Sequence, residues 1–249
     1  MISKKAVILF VILAVFLIAG ASFFLDKNFS PRIWFPSGAK IIIQDQQITD
    51  NTKPFKIAIT YPQIAGLEDF NQKAKAIVDK EIADFKKNSL ENDTAVKAVD
   101  PISYAKYPRT YELNIGYDKG QIDNNIVSVI FNVYNFEGGA HGASYFVPLN
   151  FNVKTNQEVK LVDLFPGQSD YLQKISAFCT QDLTKQLTKA LDSLDGTYLA
   201  DGAGPKAENF QFFLINPSTS SGQATITFYF PQSQVAYGSA GDFKVIFPR

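Results

Sequence analysis

The chain has 249 residues, in which 24 lysines and arginines balance 24 aspartates and glutamates. With no net charge there is no basic field for nucleic acid or anionic lipid, so no nucleic-acid partner is expected. One cysteine and one histidine exclude an intrachain disulfide framework and the multi-histidine or multi-cysteine ligand sets of zinc sites, so no metal or cofactor is expected.

Lys4 and Lys5 are followed by Ala6–Leu25, a run without a single charge. At ~1.5 Å per residue it spans roughly 30 Å, the thickness of a hydrocarbon core. The lysines precede it, so the positive-inside rule places the N-terminus in the cytoplasm and everything from Asp26 onward outside. Two readings share that topology. One is an uncleaved single-pass anchor in the cell membrane through residues 6–25, favoured by the apolar continuation Phe23-Phe24-Leu25. The other is a signal peptide cleaved after Ala21, because Ala19-Gly20-Ala21 is a small-x-small site; the product is then secreted. No cysteine borders the run, which excludes a lipoprotein anchor. Residues 26–38, with Pro31, Pro36 and Gly38, read as a tether.

The folded part then begins. Residues 39–49, with Ile41-Ile42-Ile43, read as a strand. Phe55, Ile57, Ile59 and Tyr61 alternate with Lys56, Ala58 and Thr60, a second strand that Pro62 is expected to end. Phe70, Ala74, Ile77, Val78, Ile82 and Phe85 recur at helical spacing and predict a helix over Leu67–Asn88. Residues 88–101 are polar and read as a loop. Tyr111, Leu113, Ile115 and Tyr117 alternate again, Asp118–Asn125 reads as the turn, and Ile126–Phe136 returns as the second arm of a hairpin.

Phe136–Gly142 then places His141 among Gly138, Gly139 and Gly142. A strand follows over Ala143–Val153, then a short extended piece at Val159–Leu161. Ser169 is positioned to cap a helix reaching about Leu194, with Leu172, Ile175, Phe178, Leu183, Leu187 and Leu191 in helical period. Cys179 lies within that pattern and reads as a small buried apolar residue. Residues 196–206 read as a Gly/Asp loop, and Phe210–Ile215, Gln223–Phe230 and Phe243–Phe247 as closing strands. The pattern is α+β: mainly antiparallel sheets, each packed with a long helix, after one N-terminal transmembrane helix. The segments are 1–25 (anchor or signal), 26–38 (tether), 39–135 and 136–249 (two α+β domains).

Several motifs point to known families. Tyr61-Pro62-Gln63-Ile64-Ala65-Gly66-Leu67 with Asn71, ahead of the long helix, resembles the N-terminal domain attached to peptidoglycan deacetylases of the PdaC type. Gly138–Gly142, Asn150–Thr155 and Leu161–Phe165 resemble the C-terminal domain of RsiV-like anti-sigma factors, which sense lysozyme. Asn209–Phe213, Thr227–Phe230, Gln234–Gly241 and Val245–Pro248 agree with the same domain. The resemblance covers residues 40–248. RsiV-like proteins carry a cytoplasmic sigma-binding segment, where only Met1–Lys5 precede the apolar run; PdaC-type proteins carry a separate catalytic domain, to which nothing corresponds. What the resemblance implies is a non-enzymatic binding or sensing module of the cell envelope, with a cell-wall component or a lysozyme-like protein as ligand.

Two other functions are weighed against it. A glycan hydrolase would need two acids facing across a cleft, and Glu137, Asp163 and Asp201 are the loop candidates. A structural partner of a membrane complex would show one large apolar patch. For binding, the candidates are Gly139, His141 and Tyr145 around the glycine loop, and Tyr237 and Gly238 in Ala236–Gly241. His141 reads either as a turn residue satisfying backbone groups near the glycines or as part of a ligand groove. Tyr104, Tyr107, Tyr134, Tyr145 and Tyr237 read as a stacking surface or as core residues with a wet tip.

Overall fold

The computed structural model describes residues 41–107, 109–190, 196–218, 222 and 224–249. The anchor and tether expected over residues 1–38 lie outside them. Among the described residues no helix is long and apolar enough to cross a membrane.

β1 (Ile43–Asp50) and β2 (Phe55–Ile64) pair antiparallel. α1 (Glu68–Val99) and the short α2 (Pro101–Lys106) then carry the chain back, so that β3 (Tyr111–Ile122) lies parallel to β2. A parallel pair requires such a crossover, and this one departs from the expected antiparallel pattern. β4 (Ile126–Phe136), β5 (Ala143–Asn152) and β6 (Gln157–Glu158) complete a sheet of order β1-β2-β3-β4-β5-β6, all antiparallel from β3 onward. The sheet therefore runs on past residue 136. After α3 (Tyr171–Ala190) and α4 (Gly196–Gly202), a second antiparallel sheet forms from β7 (Phe213–Ile215), β8 (Thr225–Phe230) and β9 (Phe243–Pro248). The fold is mixed α+β, with a long helix on each sheet.

Strand alternation decides the layers. Ile57, Ile59, Leu113, Ile115, Val129, Phe131 and Phe151 are buried on the face covered by Phe70, Ala74, Val78 and Phe85 of α1. On the opposite face Ile130 and Phe146 pack with Leu214 and Tyr229 of the second sheet. The second sheet turns Phe213, Ile226, Phe228, Val245 and Phe247 toward Ile175, Cys179, Leu183 and Leu187 of α3. The order is thus helix, sheet, sheet, helix.

Four local expectations are corrected. α1 does not end at Asn88 but continues to Val99. Its polar last turns are held by polar partners: Asp93 accepts the hydroxyls of Tyr104 and Tyr111 at 2.5 Å each, and Asn92 donates to the Glu137 carbonyl at 3.0 Å. Pro62 does not stop β2, because β3 pairs only with Phe55–Ile59 and no ladder bond is needed on that side beyond. The hairpin turn is shorter than expected: β3 runs to Ile122, with a register shift between Lys119 and Ile122. Asp123 Oδ1 makes the turn by accepting from the amides of Asn125 (2.7 Å) and Ile126 (2.9 Å). Residues 196–206, read as a loop, begin with α4.

The quoted motifs also gain a structural account. Asn71 Oδ1 accepts from the Ile64 amide and its Nδ2 donates to the Ile64 carbonyl, each at 2.8 Å, so one side chain imitates a strand partner and ties the end of β2 to α1. Asp163 Oδ2 accepts from the Lys160 amide at 2.8 Å and closes the turn of Leu161–Leu164. Asn152 Oδ1 accepts from the amides of Lys154 (2.9 Å) and Thr155 (3.1 Å) and reverses the chain after β5.

Candidate ligand-binding site

The face of β3, β4 and β5 that points away from α1 is only partly covered by the second sheet. Its uncovered end forms a concavity of about 400 Å³, near the low end of the ~300–1,000 Å³ range of small-ligand sites. Asn114, Tyr134 and Ser144 stand side by side in register, and Gly116 and Asn132 form the next row. Asp118 lies one step further along β3, and Asp242 and Lys244, at the start of β9, form the wall.

Each part is held in place. Lys244 Nζ donates to Asp118 Oδ2 at 3.0 Å, and so does the Tyr229 hydroxyl at 3.0 Å. The lysine also lies 4.5 Å over the Tyr229 ring. Burial raises the Asp118 pKa, but the Lys244 and Tyr229 hydrogen bonds and the Lys244 charge outweigh it and hold the carboxyl below its ordinary range. At the rim Tyr134 is 37% exposed. A Cβ on Gly142 would come within 2.5 Å of the Tyr134 ring, so the glycine lets the loop lie against that ring. Above Gly116 nothing lies within 4 Å of where a Cβ would be, and this gap forms the hollow of the floor.

The loop between β4 and β5 is anchored from its other side. Arg109 Nη1 donates to the Gly138 carbonyl at 2.9 Å, and Gly138 itself sits at φ +92° against Tyr111. Glu137 Oε1 accepts from Asn135 at 3.1 Å and Asn88 at 3.5 Å. Burial raises the Glu137 pKa; the Asn88 hydrogen bond opposes the rise and the Asp84 charge adds to it.

Of the residues singled out from sequence, Tyr145 meets the concavity only through its backbone: it pairs with Val133 on the α1-covered face, and its own hydroxyl donates to Glu81 on α1. His141 and Gly139 are exposed on the loop, and His141 Nδ1 lies 3.0 Å from the Gly142 carbonyl. Tyr237 is exposed just before the turn Gly238–Ala240, and the Gly238 carbonyl accepts from Gln232 at 2.6 Å. None of these four lines the concavity. Neither do Glu137, Asp163 or Asp201. The residues that do include Asn114, Asn132 and Ser144, polar positions of alternating strands that no motif singles out. The available signal was an outward row of Asn, Gly, Asn and Ser where a solvated sheet face usually carries charge.

Comparison with known proteins bears directly on this arrangement. Residues 48–144 match the family model described as deacetylase PdaC, and residues 162–249 match that described as a protein of unknown function, DUF3298. The chain carries these two domains in that order. A curated relative, the peptidoglycan-N-acetylmuramic acid deacetylase PdaC of Bacillus subtilis, is 29% identical over 198 residues, covering 80% of this chain and 38% of its own length. The chain therefore spans well under half of that relative. Crystal structures of DUF3298-family proteins from Bacteroides fragilis and Pseudomonas aeruginosa each align with a TM-score of 0.52, at 16% and 13% identity. They cover 84% of this chain and 90% and 89% of their own, which establishes the likeness of fold. The floor residues of the concavity fall within the PdaC match, and the wall residues Asp242 and Lys244 within the DUF3298 match. The concavity is made by the two domains together.

Proposed function

We propose that this protein is an extracytoplasmic binding module of the bacterial cell envelope, tethered to the membrane through residues 6–25, and that its ligand is a component of the cell wall. The observation that carries the reading is the polar concavity built jointly by the PdaC and DUF3298 parts. Convergent amide and hydroxyl groups over a fixed floor favour recognition of a polar ligand. The name of the Bacillus subtilis relative, a peptidoglycan deacetylase, supports the wall as the ligand's source. The module itself is non-enzymatic on this reading. Gly139 and His141, on the loop that joins two floor strands, and Tyr237 and Gly238, ahead of the wall strand, do not line the concavity; on this reading they border it and touch only a ligand that extends beyond it.

The test is cosedimentation of the full chain, in detergent micelles, with purified sacculi. Wild-type protein pellets with sacculi, and the Asn132→Ala/Tyr134→Ala variant stays in the supernatant. Failure of the wild type to pellet overturns the reading. Saturable binding to lysozyme in place of sacculi would replace the wall with a protein ligand.

A further inference from the structure

We infer that the concavity recognises an uncharged, N-acylated saccharide, through the amides of Asn114 and Asn132 with Tyr134 and Ser144 beside them. The inference rests on the binding reading above and names its ligand chemistry. Asn114 Nδ2 donates one hydrogen to Glu112 Oε1 at 3.0 Å and Asn132 donates one to Asp118. The second N–H and the oxygen of each amide offer a donor and an acceptor together, which is what a sugar hydroxyl or an acetamido group, each able both to give and to accept, requires. Asn114 and Asn132 lie on neighbouring strands one row apart, and Ser144 adds a hydroxyl on the third strand. The Tyr134 ring at the rim, backed by Gly142, supplies an apolar surface with a polar tip.

Charge narrows the class. Lys244 is held by Asp118, and Asp242 adds a further carboxylate, so the lining carries two acids and one base. That balance disfavours phosphate-rich polymers and free carboxylates. The hollow over Gly116 provides the depth for a substituent.

The same hollow supplies the decisive variant. Because nothing lies within 4 Å of the Cβ position of Gly116, a valine there fills the floor without meeting the core. Valine also suits a strand better than glycine, so Gly116→Val folds at least as stably as wild type. Calorimetric titration of the full chain with a soluble N-acetylated glucosamine oligomer should give saturable binding. Gly116→Val should abolish it, and Asn132→Ala should weaken it by about tenfold, the worth of one lost hydrogen bond. The de-N-acetylated oligomer and inorganic phosphate should bind weakly or not at all. The inference is overturned if the deacetylated oligomer or phosphate binds as well as the acetylated one, or if Gly116→Val leaves binding intact. Wild-type protein that pellets with sacculi but ignores the oligomer, with Gly116→Val no longer pelleting, overturns this inference while the binding reading stands. Absence of pelleting removes that reading itself.

Discussion

Asn150→Ala perturbs the joint between the sheets. Asn150 is 4% exposed on β5; its Nδ2 donates to the Phe213 carbonyl at 3.0 Å and its Oδ1 accepts the Ser128 hydroxyl at 2.5 Å. Ser128 Oγ in turn accepts from the Ile215 amide at 2.8 Å. β7 is an edge strand, and the groups of Phe213 and Ile215 point away from β8, because Phe212 and Asn216 are the ones that bond toward it. Two side chains of the first sheet thus complete the backbone bonding of the second. Alanine at 150 leaves a buried carbonyl and a buried hydroxyl without their partner. At ~1–3 kcal/mol for each of the two orphaned groups, the loss is about 2–6 kcal/mol. Urea denaturation followed by circular dichroism should show this as a lower midpoint with an unchanged slope. Ser128→Ala should cost a similar amount, and the double variant should lose less than the sum by about 1 kcal/mol or more, since both substitutions break one network. A loss below about 1 kcal/mol for Asn150→Ala, or simple additivity, would refute the reasoning.

Three further outcomes are expected. Glu137 has a folded pKa raised above its unfolded value, so its ionisation costs stability as pH climbs through the folded pKa; Glu137→Gln should gain on wild type above about pH 4, with the two melting curves converging below it, and a pH-independent offset would contradict this. Asp118 has the opposite sign. Its folded pKa is depressed, so the deficit of Asp118→Asn should be present at neutral pH, close as pH falls below about 4, and shrink in high salt; a deficit that persists in acid would show that the Lys244 pairing is not its source. Cys179 is fully buried and its thiol is pushed up to about 12 by burial and then by Asp182, so a thiol reagent at pH 8 should modify it only on unfolding; reaction of the native protein at the rate of free cysteine would remove it from the α3 core.

Much of the fold was legible in the sequence because it rests on local periodicity. The alternation of Phe55–Tyr61 and Tyr111–Tyr117 and the helical spacing from Phe70 to Phe85 record which residues meet the core. Where the stabilising partner is polar and distant, the pattern was silent. The last turns of α1 read as a loop because Asn92 and Asp93 carry no apolar signal, yet Glu137, Tyr104 and Tyr111 hold them helical. The site was less legible still. Tyr145 was picked out for its place beside the glycine loop, whereas Asn114, Asn132 and Ser144 looked like ordinary solvent-facing positions.

By itself the sequence determined the charge balance, the long apolar N-terminal run, the α+β class and the motifs that resemble PdaC-type and RsiV-like domains, since these are properties of composition and short-range order. Only the tertiary structure decided that the first sheet runs on past residue 136, that β2 and β3 are parallel, and that one face of β3–β5 is left open beside β9. Asn114 and Lys244 are far apart in sequence and face the same hollow because two sheets, each already covered by its own helix, still had apolar surface to bury. They meet through Ile130, Phe146, Leu214 and Tyr229, and polar residues remain at the open end, where that apolar contact stops.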